Sequence, residues 1–535
     1  MPSQAVDDYA VEQTLEEVSI AYRLQHMELK CEGEPFDLRR YPYLIAPYDD
    51  DSDDIVMRKG GQMGMTILCV LRTIMRCKYM YPRGVLYLMP TKDDVSDFSK
   101  GRFDRIMREN PKLAAMVSGT DAAHIKRIGN ALVYFRGVKS RSQLKSIPVD
   151  GIVYDEYDEM DMSMVALADK RLDGSSFQHR FKISTPTIPE FGIDWDYLQS
   201  DQKVWKIKCQ HCNHWTCMEL SFPDCLLRLK DNNVIRCCVK CKKKIDPING
   251  EWVATQPGKS CSGYWVSQLN SDRKSPKIIL DDYENPRTVI SEFYNHRLAM
   301  SYADLDDLLD DKALNACCRD DFREPQSTSE TVMGADVGKN DIHYVIARKV
   351  SPSNLMTLDY AKLVDGDSGT AFEQLHDKII RYNVKRCVID EMAETRSVRE
   401  FKDNHPEVAG CWYNPSQRKE YDWNYHTQTV TVNRTESLDA SHRAITRTEV
   451  TFPRPDEGWK GFCQQMKNLA RQRITDDKTG QSKVVWVVRG VKNDHFRHAW
   501  NYLCISASDA PVSSGAPGGR RRSKLVKRPG SFMSA

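Results

Sequence analysis

Short apolar runs alternate with helix-like stretches between residues 55 and 190. Four runs have the length and composition of buried strands: GVLYLMP (84–90), ALVYFRG (131–137), GIVYDE (151–156) and RFKISTP (180–186). After the first of them, residues 93–110 show the spacing of apolar side chains that predicts a helix. Alternating strands and helices predict an α/β domain with a mostly parallel sheet covered on both faces.

A second block of the same kind begins after the polar linker at 323–331. It opens with two apolar runs around a glycine-rich turn, VMGADVGKNDIHYVIARKV. A helix-like stretch at 372–382 and a strand-like run, RCVIDE, at 386–391 follow. The chain has 535 residues, too many for a single hydrophobic core, so we expect two or three domains.

The composition, 40% hydrophobic and 28% charged, is that of a globular protein. No run of 18 apolar residues predicts a membrane span, and the polar, acidic N-terminal residues do not resemble a secretory signal. We therefore expect the 17 cysteines to be reduced thiols in a cytoplasm. Because the net charge is only +2, any contact with nucleic acid has to come from local basic patches. The candidate patches are residues 72–78, residues 240–244 and a basic, disordered tail at 513–535.

Residues 58–66, RKGGQMGMT, are similar to a phosphate-binding loop whose lysine is displaced. The usual order places Lys directly before Ser or Thr, whereas here Lys59 precedes the glycines and Met65 stands before Thr66. In such loops the backbone N–H groups of a glycine turn and a helix N-terminus surround the phosphate oxygens. A lysine at the beginning of the loop can fold back over them, and Thr66 can hold Mg²⁺. The alternative is a glycine turn with no ligand. The glycines of the turn are Gly60, Gly61 and Gly64.

Asp155 and Glu156 end the strand-like run GIVYDE. Carboxylates at the C-terminal end of a buried strand lie at the edge where open α/β sheets bind ligands. There, Asp155 is suited to hold Mg²⁺ and Glu156 to orient and polarise an attacking water. The hydroxyls of ISTPT (183–187) end the next strand and are candidates for sensing the phosphate; the alternative is a simple turn.

Two CxxC pairs in the middle of the chain predict a tetrahedral structural Zn²⁺ site. Thiolates at this spacing sit on tight turns and converge on one ion. Cys217, Cys237, His211 and His214 stand close enough in the sequence to leave the choice of ligands open. The two pairs are Cys209 with Cys212 and Cys238 with Cys241.

The second block carries acids suited to a different reaction. Asp336 lies in its first strand, Asp390 ends a later strand, and Asp494 and His498 are four apart on a predicted helix. Three acids from distant segments suit a ribonuclease-H-like site that holds two divalent metals for phosphodiester cleavage.

These motifs, in this order, resemble the large terminase subunits of tailed bacteriophages, in particular the lambda-type packaging ATPases. RKGGQMGMT is similar to the displaced-lysine loop of that group, VDGIVYDE to its acidic strand, and residues 168–186 to the segment leading to its coupling motif. The resemblance implies a RecA-like (ASCE) ATPase domain, a small zinc-knuckle insertion and a ribonuclease-H-like nuclease domain. We expect the ATPase core at 1–204, the insertion at 205–250, the completion of the ATPase domain at 251–330 and the nuclease at 331–512.

By this resemblance, Lys59, Thr66 and Asp155 contact the phosphates and Mg²⁺, Glu156 is catalytic, and Ser184 and Thr185 form the coupling motif. Arg141 and Lys145, just before the acidic strand, are candidates for an arginine-finger role in cis or on a neighbouring subunit.

The implied function is ATP-driven threading of viral double-stranded DNA into a procapsid, with cutting of the DNA concatemer. Implied partners are the portal protein, a small terminase subunit and further copies of the chain in a ring, in the cytoplasm of the bacterial host.

The sequence departs from the family at one position. The final helix of the family carries an Asp before an Ala and an aromatic residue, and here His498 holds that place. Either Asp494 or His498 is then the third nuclease ligand; His accepts Mn²⁺ but is a poor ligand for Mg²⁺. A host translocase with a nuclease domain, or a non-enzymatic zinc-bearing DNA-binding scaffold, are the alternative functions.

Overall fold

The computed structural model of the protein describes residues 19–118, 124–139, 141–304, 307–352, 354–366, 369–392, 395–475, 482–490 and 493–511. The chain divides into two compact units, Met1–Asp304 and Leu305–Ala535. The predicted tail at 513–535 lies outside the described residues. In the part of the chain that is described, no helix is both long and apolar enough to span a bilayer.

The first unit combines a large sheet with helices on its faces. Its helices are α1 (Ile20–His26), α2 (Ile45–Asp49), α3 (Met65–Tyr79), α4 (Lys92–Asp97), α5 (Asp104–Glu109), α6 (Pro111–Ala114), α7 (Met162–Asp169), α8 (Gly192–Gln199), α9 (Pro276–Glu284) and α10 (Ile290–Leu298). Its strands are β1 (Lys30–Cys31), β2 (Glu34–Pro35), β3 (Asp54–Lys59), β4 (Gly84–Met89), β5 (Val117–Ser118), β6 (Ile125–Ile128), β7 (Ala131–Gly137), β8 (Gly151–Asp155), β9 (His179–Ser184), β10 (Lys203–Lys208), β11 (Trp215–Cys217), β12 (Leu226–Arg228), β13 (Val234–Arg236), β14 (Gly250–Ala254) and β15 (Cys261–Val266).

The main sheet of this unit has the order β11-β10-β15-β3-β9-β8-β4-β7-β6-β5, with β14 paired to β10. All pairings from β15 to β7 are parallel. Strands covered on both faces are apolar throughout, and every residue of β4 and β8 is buried. The four predicted strands are present, and β9 lies between β3 and β8, the order of the RecA-like (ASCE) class predicted from the sequence.

The helix predicted over 93–110 is interrupted. After α4 the chain forms a π-helical segment, Phe98–Phe103, before α5 begins. Such segments are rare and widen the helix by about one residue per turn, which re-aims the side chains they carry.

The cysteine-rich segment lies between two strands of the main sheet. Strands β10 and β14, which begin and end it, pair with each other in antiparallel fashion, and β10 also pairs with β15. The short hairpin of β12 and β13 lies between them. The predicted insertion at 205–250 therefore has both of its ends in the main sheet of the first unit.

The second unit is a mixed sheet with helices packed on it. Its helices are α11 (Asp311–Ala316), α12 (Ala371–Arg381), α13 (Thr395–Asp403), α14 (Arg434–Thr446), α15 (Trp459–Lys467) and α16 (His495–Ser508). Its strands are β16 (Thr331–Val337), β17 (Asp341–Ser351), β18 (Asn354–Val364), β19 (Val384–Asp390), β20 (Val408–Tyr413), β21 (Asp422–Asn424), β22 (Thr429–Val432), β23 (Val450–Thr451), β24 (Leu469–Thr475) and β25 (Ser482–Val488).

In this sheet β18, β17 and β16 are antiparallel neighbours, and β19 and β20 continue it in parallel. This is the strand order of the ribonuclease-H-like fold expected from the sequence. Helix α16 packs directly on β16, and this close approach requires glycine at position 334. A Cβ there would lie only 2.1 Å from the carbonyl oxygen of Ala499. The close packing brings the start of α16 near the C-terminal ends of β16 and β19.

Candidate functional site

The loop after β3 has the shape of a phosphate cradle. Gly64 has φ = +81° immediately before α3, a conformation that glycine adopts without strain. The N–H groups of Gly60 and Gly61 donate to the carbonyl oxygens of Val266 and His296, both at 2.8 Å. The N–H groups of these two glycines therefore stabilise the turn itself. An anion in this loop would be bound by the N–H groups at the N-terminus of α3.

Lys59 ends β3 and reaches across the sheet edge to the acidic strand. Its Nζ lies 2.7 Å from Oε1 of Glu156 and 3.4 Å from Oγ1 of Thr185. The side chain of Lys59 is 11% exposed and that of Glu156 41%. Burial alone would lower the pKa of Lys59, but the carboxylates of Glu156 and Asp155 outweigh burial and raise it. The displaced lysine therefore stays charged at the carboxyl ends of three adjacent strands.

Asp155 is the last residue of β8 and accepts a hydrogen bond from the hydroxyl of Tyr87 at 2.8 Å. Burial and the neighbouring Glu156 raise the pKa of Asp155 to about 6, and Lys59 opposes them. Glu156 itself has φ = +59°, a left-handed conformation that is uncommon for a residue other than glycine.

The hydroxyl of Thr66, in the first turn of α3, accepts a hydrogen bond from Nη1 of Arg102 at 2.8 Å. Arg102 lies in the π-helical segment and is exposed. The sequence analysis did not identify Arg102, because nothing in the local pattern relates it to a loop 36 residues earlier.

The predicted coupling residues join the acidic strand to the strand beside it. The Oγ of Ser184 accepts from the N–H of Asp158 at 3.1 Å and donates to the carbonyl of Thr185 at 3.2 Å. The buried carboxylate of Asp158 accepts from the N–H and the hydroxyl of Thr187, at 3.0 and 2.9 Å. A connected network therefore leads from Lys59, through Thr185 and Ser184, to the loop after the acidic strand.

The predicted basic candidates differ in their surroundings. Arg141 and Lys145 are exposed, the first in a short 3₁₀ turn, and the described contacts join neither side chain to the phosphate loop. Arg72 and Arg76, in the candidate basic stretch 72–78, are buried and so are not part of a basic surface. Their guanidinium groups instead donate to the carbonyl oxygen of Asp50 and hold the segment before β3 on α3.

The four cysteines of the two CxxC pairs converge, with all four Sγ atoms within 4.8 Å of one another. Sγ of Cys209 lies 3.6 Å from that of Cys241, and Sγ of Cys212 lies 3.6 Å from that of Cys238. Each pair forms the same knuckle, since the residue after the second cysteine is left-handed and donates its N–H to the carbonyl of the first. These donors are Asn213 (φ = +57°, 2.9 Å) and Lys242 (φ = +58°, 2.8 Å).

The neighbouring cysteines that the sequence left as alternatives point elsewhere. Sγ of Cys217 donates to Glu219 at 3.4 Å, and Sγ of Cys237 faces the carbonyl of Asp224 at 3.6 Å. Four sulfurs at tetrahedral spacing fit Zn²⁺, a soft-ligand ion that needs no open position in a structural site.

In the second unit, Asp336 and Asp390 stand on adjacent parallel strands. Ala335 pairs with Ile389, so the aspartates that follow them are neighbours at the ends of β16 and β19. Burial raises the pKa of Asp390, and the charge of Asp336 raises it further. Asp336 also accepts a hydrogen bond from Nδ1 of His495 at 2.7 Å, a partner that the sequence analysis did not identify.

Asp494 is the N-cap residue of α16, and its position departs from the prediction that it lies on the helix with His498. Its Oδ2 is 3.2 Å from Nε2 of His498. Burial would raise the pKa of Asp494, but His498 and His495 outweigh burial and lower it. Among the described residues, only the four cysteines place three or more possible metal-ligand atoms within 4.8 Å of one another. The carboxylates of the three acids therefore do not all lie within that distance of one another.

The donor sets of both sites fit hard divalent cations. In the first unit, the hydroxyl of Thr66 and the carboxylate of Asp155 are the oxygen ligands that Mg²⁺ prefers. In the second unit, the carboxylates of Asp336, Asp390 and Asp494 are oxygen ligands of the same type. The imidazoles beside them are also compatible with Mn²⁺ in the site.

Residues 33–259 match the family model described as "Phage terminase large subunit gpA, ATPase domain". No curated protein sequence matches the chain. Among solved structures, the chain is similar to the large terminase of bacteriophage HK97, with 10% identity and a TM-score of 0.53, over 92% of this chain and 99% of that chain. It is also similar to the large terminase of a thermophilic bacteriophage in complex with ADP, with 13% identity and a TM-score of 0.32, over 88% and 98% of the two chains.

The likeness to the HK97 protein establishes the fold along nearly the whole chain. The family match covers the part that carries the displaced-lysine loop, the acidic strand and both CxxC pairs. Residues 33–259 are therefore similar to the ATPase domain of phage terminase large subunits, and the chain as a whole has the fold of a phage large terminase.

Proposed function

We propose that the first unit hydrolyses ATP at the edge formed by β3, β9 and β8. Lys59 neutralises the phosphates from the upstream end of the loop, and the N-terminus of α3 donates N–H groups to them. Thr66 and Asp155 would hold Mg²⁺, which would supply positive charge beside the phosphates. Glu156 orients the attacking water and accepts its proton.

The ion pair between Lys59 and Glu156 suggests how binding and hydrolysis are linked. A triphosphate carries more negative charge than the single carboxylate, Glu156, that Lys59 contacts at 2.7 Å, so it attracts the ammonium group more strongly. Moving the ammonium onto the phosphates frees Glu156 to act on water. The hydrogen bond between Thr185 and Lys59 then provides a route by which the phosphate state reaches Ser184 and the loop beyond it.

We propose that the second unit cuts DNA with Asp336, Asp390 and Asp494 as metal ligands. These carboxylates would hold Mg²⁺ or Mn²⁺ ions, which would supply a hydroxide nucleophile and stabilise the leaving oxygen. His498 positions Asp494 through their 3.2 Å contact, and His495 does the same for Asp336. In this assignment Asp494, an oxygen donor, is the third ligand, and His498 is its partner.

The four converging cysteines are assigned to one structural Zn²⁺. Their knuckles lie between β10 and β14, so the ion would fix a segment whose two ends belong to the ATPase sheet. No open coordination position remains for catalysis.

In the proposed cycle, hydrolysis drives viral double-stranded DNA into an empty procapsid, and the nuclease cuts the concatemer. The proposed partners are DNA, the portal protein and a small terminase subunit, with several copies of the chain acting as a ring in the host cytoplasm. Arg141 and Lys145, both exposed, remain candidates for a cation offered to the site of a neighbouring copy.

The observation that carries the proposal is the meeting of Lys59, Thr185 and Glu156 at one sheet edge. The direct test is a packaging assay with matching empty procapsids, ATP and linear DNA. DNA should become protected from added nuclease only when ATP is hydrolysed. A DNA-binding scaffold would show no DNA-stimulated ATP turnover, and a host translocase would turn over ATP without filling procapsids.

A further inference from the structure

Arg102 is a second cation, besides Lys59, that contacts the proposed ATP site. Its Nη1 donates to Oγ1 of Thr66 at 2.8 Å, and its guanidinium is near enough to act on the charge of Asp155. These are the two residues assigned to hold Mg²⁺. Lys59 approaches the same loop from the end of β3, so two cations reach it from different elements.

The position of Arg102 is fixed by the structure around it. The π-helical segment Phe98–Phe103 begins and ends with buried phenylalanines. Both rings pack against Phe135, at centroid distances of 5.7 and 5.5 Å, and Phe98 also lies 4.9 Å from the ring of Tyr87. Tyr87 is the residue that donates to Asp155. One aromatic cluster therefore holds both the metal-binding carboxylate and the segment that presents Arg102.

The contact between Arg102 and Thr66 conflicts with the role of the threonine in catalysis. The guanidinium only donates hydrogen bonds, so it uses a lone pair of the Thr66 oxygen. A hydroxyl oxygen has two lone pairs, so Mg²⁺ would take the second one, but it would place another positive charge directly beside the guanidinium. This repulsion would favour the transfer of Arg102 from Thr66 to an anion, and a phosphate bound in the same loop is an anion for which a guanidinium is well suited.

We propose that Arg102 is a substrate-binding residue that senses the terminal phosphate: it holds Thr66 when that phosphate is absent and binds the phosphate when it is present. The inference rests on the proposed ATPase function of this unit. Its consequence is discrimination, because only a triphosphate offers Arg102 a replacement partner. The chain should therefore bind a triphosphate better than a diphosphate, and Arg102 should account for much of the difference.

The test is calorimetric titration of the full-length protein with ADP and with the non-hydrolysable analogue AMP-PNP, both in Mg²⁺. Wild type is compared with Arg102→Ala, with Arg102→Lys and with a control, Arg105→Ala. Arg105 lies three residues further on and is paired with Glu109 at 2.9 Å instead of with the loop. Because Arg102 is exposed, its truncation leaves the aromatic cluster intact, and an unchanged affinity for ADP reports an intact site.

We expect Arg102→Ala to weaken AMP-PNP binding by about tenfold, the scale of one charge-assisted hydrogen bond, with ADP binding unchanged. Arg102→Lys should recover part of the loss, and Arg105→Ala should match wild type. An unchanged ratio of the two affinities in Arg102→Ala, or an equal loss for both nucleotides, would overturn the sensing role while leaving the ATPase proposal in place. Wild type that binds neither nucleotide would overturn the ATPase proposal itself.

Discussion

The two proposed catalytic sites lie at the carboxyl ends of parallel strands, but they differ in how their charges are arranged. In the ATPase site, acid and base face each other directly, with Lys59 and Glu156 at 2.7 Å. In the nuclease site two of the three acids have a histidine partner, His495 for Asp336 and His498 for Asp494. The first site carries its positive charge within the protein, whereas the second has a surplus of carboxylates that divalent ions would balance.

This difference predicts separable behaviour. A site built around its own ion pair depends on one side chain, because removal of the ammonium leaves a carboxylate pair at a partly buried edge. In a site built from several carboxylates, the rate of cutting should depend on which metal ion is bound, and replacing a histidine should lower that rate only partly. The following changes test that contrast.

The largest effect is expected from Lys59→Ala. The phosphates lose the counter-charge that Lys59 supplies from the end of β3, and Asp155 and Glu156 lose the cation that both of them face. DNA-stimulated ATP hydrolysis should fall by about 10³-fold, the upper end for loss of one preorganised electrostatic contact. Phosphate release measures it. Lys112→Ala, an exposed lysine on α6 outside the candidate DNA-contacting patches, is the control and should hydrolyse ATP normally. Hydrolysis unaffected in Lys59→Ala would remove the assignment of the displaced lysine.

The second change is Asp336→Asn, which keeps the shape of the side chain and removes one metal-binding charge. Cutting of linear DNA in Mn²⁺ should fall by at least about a hundredfold, since metal ions contribute several kcal/mol to such reactions. ATP hydrolysis should stay at the wild-type rate, because the residue belongs to the other unit. Asp377→Asn, an exposed position on α12, is the matched control. Continued cutting by Asp336→Asn would reject the nuclease site.

A smaller effect should distinguish the third nuclease ligand from its partner. If Asp494 is the ligand, Asp494→Asn should impair cutting more than His498→Ala, whose loss should be about tenfold, as for residues that orient a metal ligand. The order should be the same in Mg²⁺ and in Mn²⁺, measured by gel assay, with exposed His426→Ala as the control. A severe loss in His498→Ala beside a mild loss in Asp494→Asn would assign the metal to the histidine.

The smallest effect on either activity is expected at the cysteine cluster. Metal analysis of the purified protein should find about one zinc per chain, since four thiolates form one closed site. Cys238→Ser should lose the zinc and lower the Tm by about 5 °C or more, because metal binding contributes to folding. Cys237→Ser should keep the zinc, because Sγ of Cys237 faces the carbonyl of Asp224. Zinc that is retained by Cys238→Ser and lost by Cys237→Ser would show that the ligands are assigned wrongly.

The sequence predicted those parts of the molecule that depend on local pattern. Buried strands such as β4 and β8 are continuous apolar runs, and their ends place Asp155 and Glu156 at a known edge of a sheet. The spacing of the two CxxC pairs predicted that their four sulfur atoms meet, because each pair forms a knuckle of the same local geometry. Strand order followed from the resemblance to the terminase family, which carried information that no single motif contains.

The parts that the sequence did not predict depend on contacts between distant residues. Arg102 contacts Thr66 from a π-helical segment that the sequence did not predict, and His495 contacts Asp336 across 159 positions of the chain. Arg72 and Arg76 belong to a candidate basic stretch, yet they are buried, and the chain before β3 supplies the carbonyl oxygen of Asp50 to both of them. A run of basic residues does not reveal which of them the tertiary structure will cover.

The central claim is that an ammonium group entering from the upstream end of the glycine loop serves a nucleotide there. A structure of the full-length protein with Mg²⁺ and ATP-γ-S tests it most directly. The account predicts Nζ of Lys59 within hydrogen-bond distance of the phosphate oxygens, released from Glu156. Nucleotide bound at the loop with Lys59 still paired to Glu156, or bound elsewhere on the protein, would contradict it.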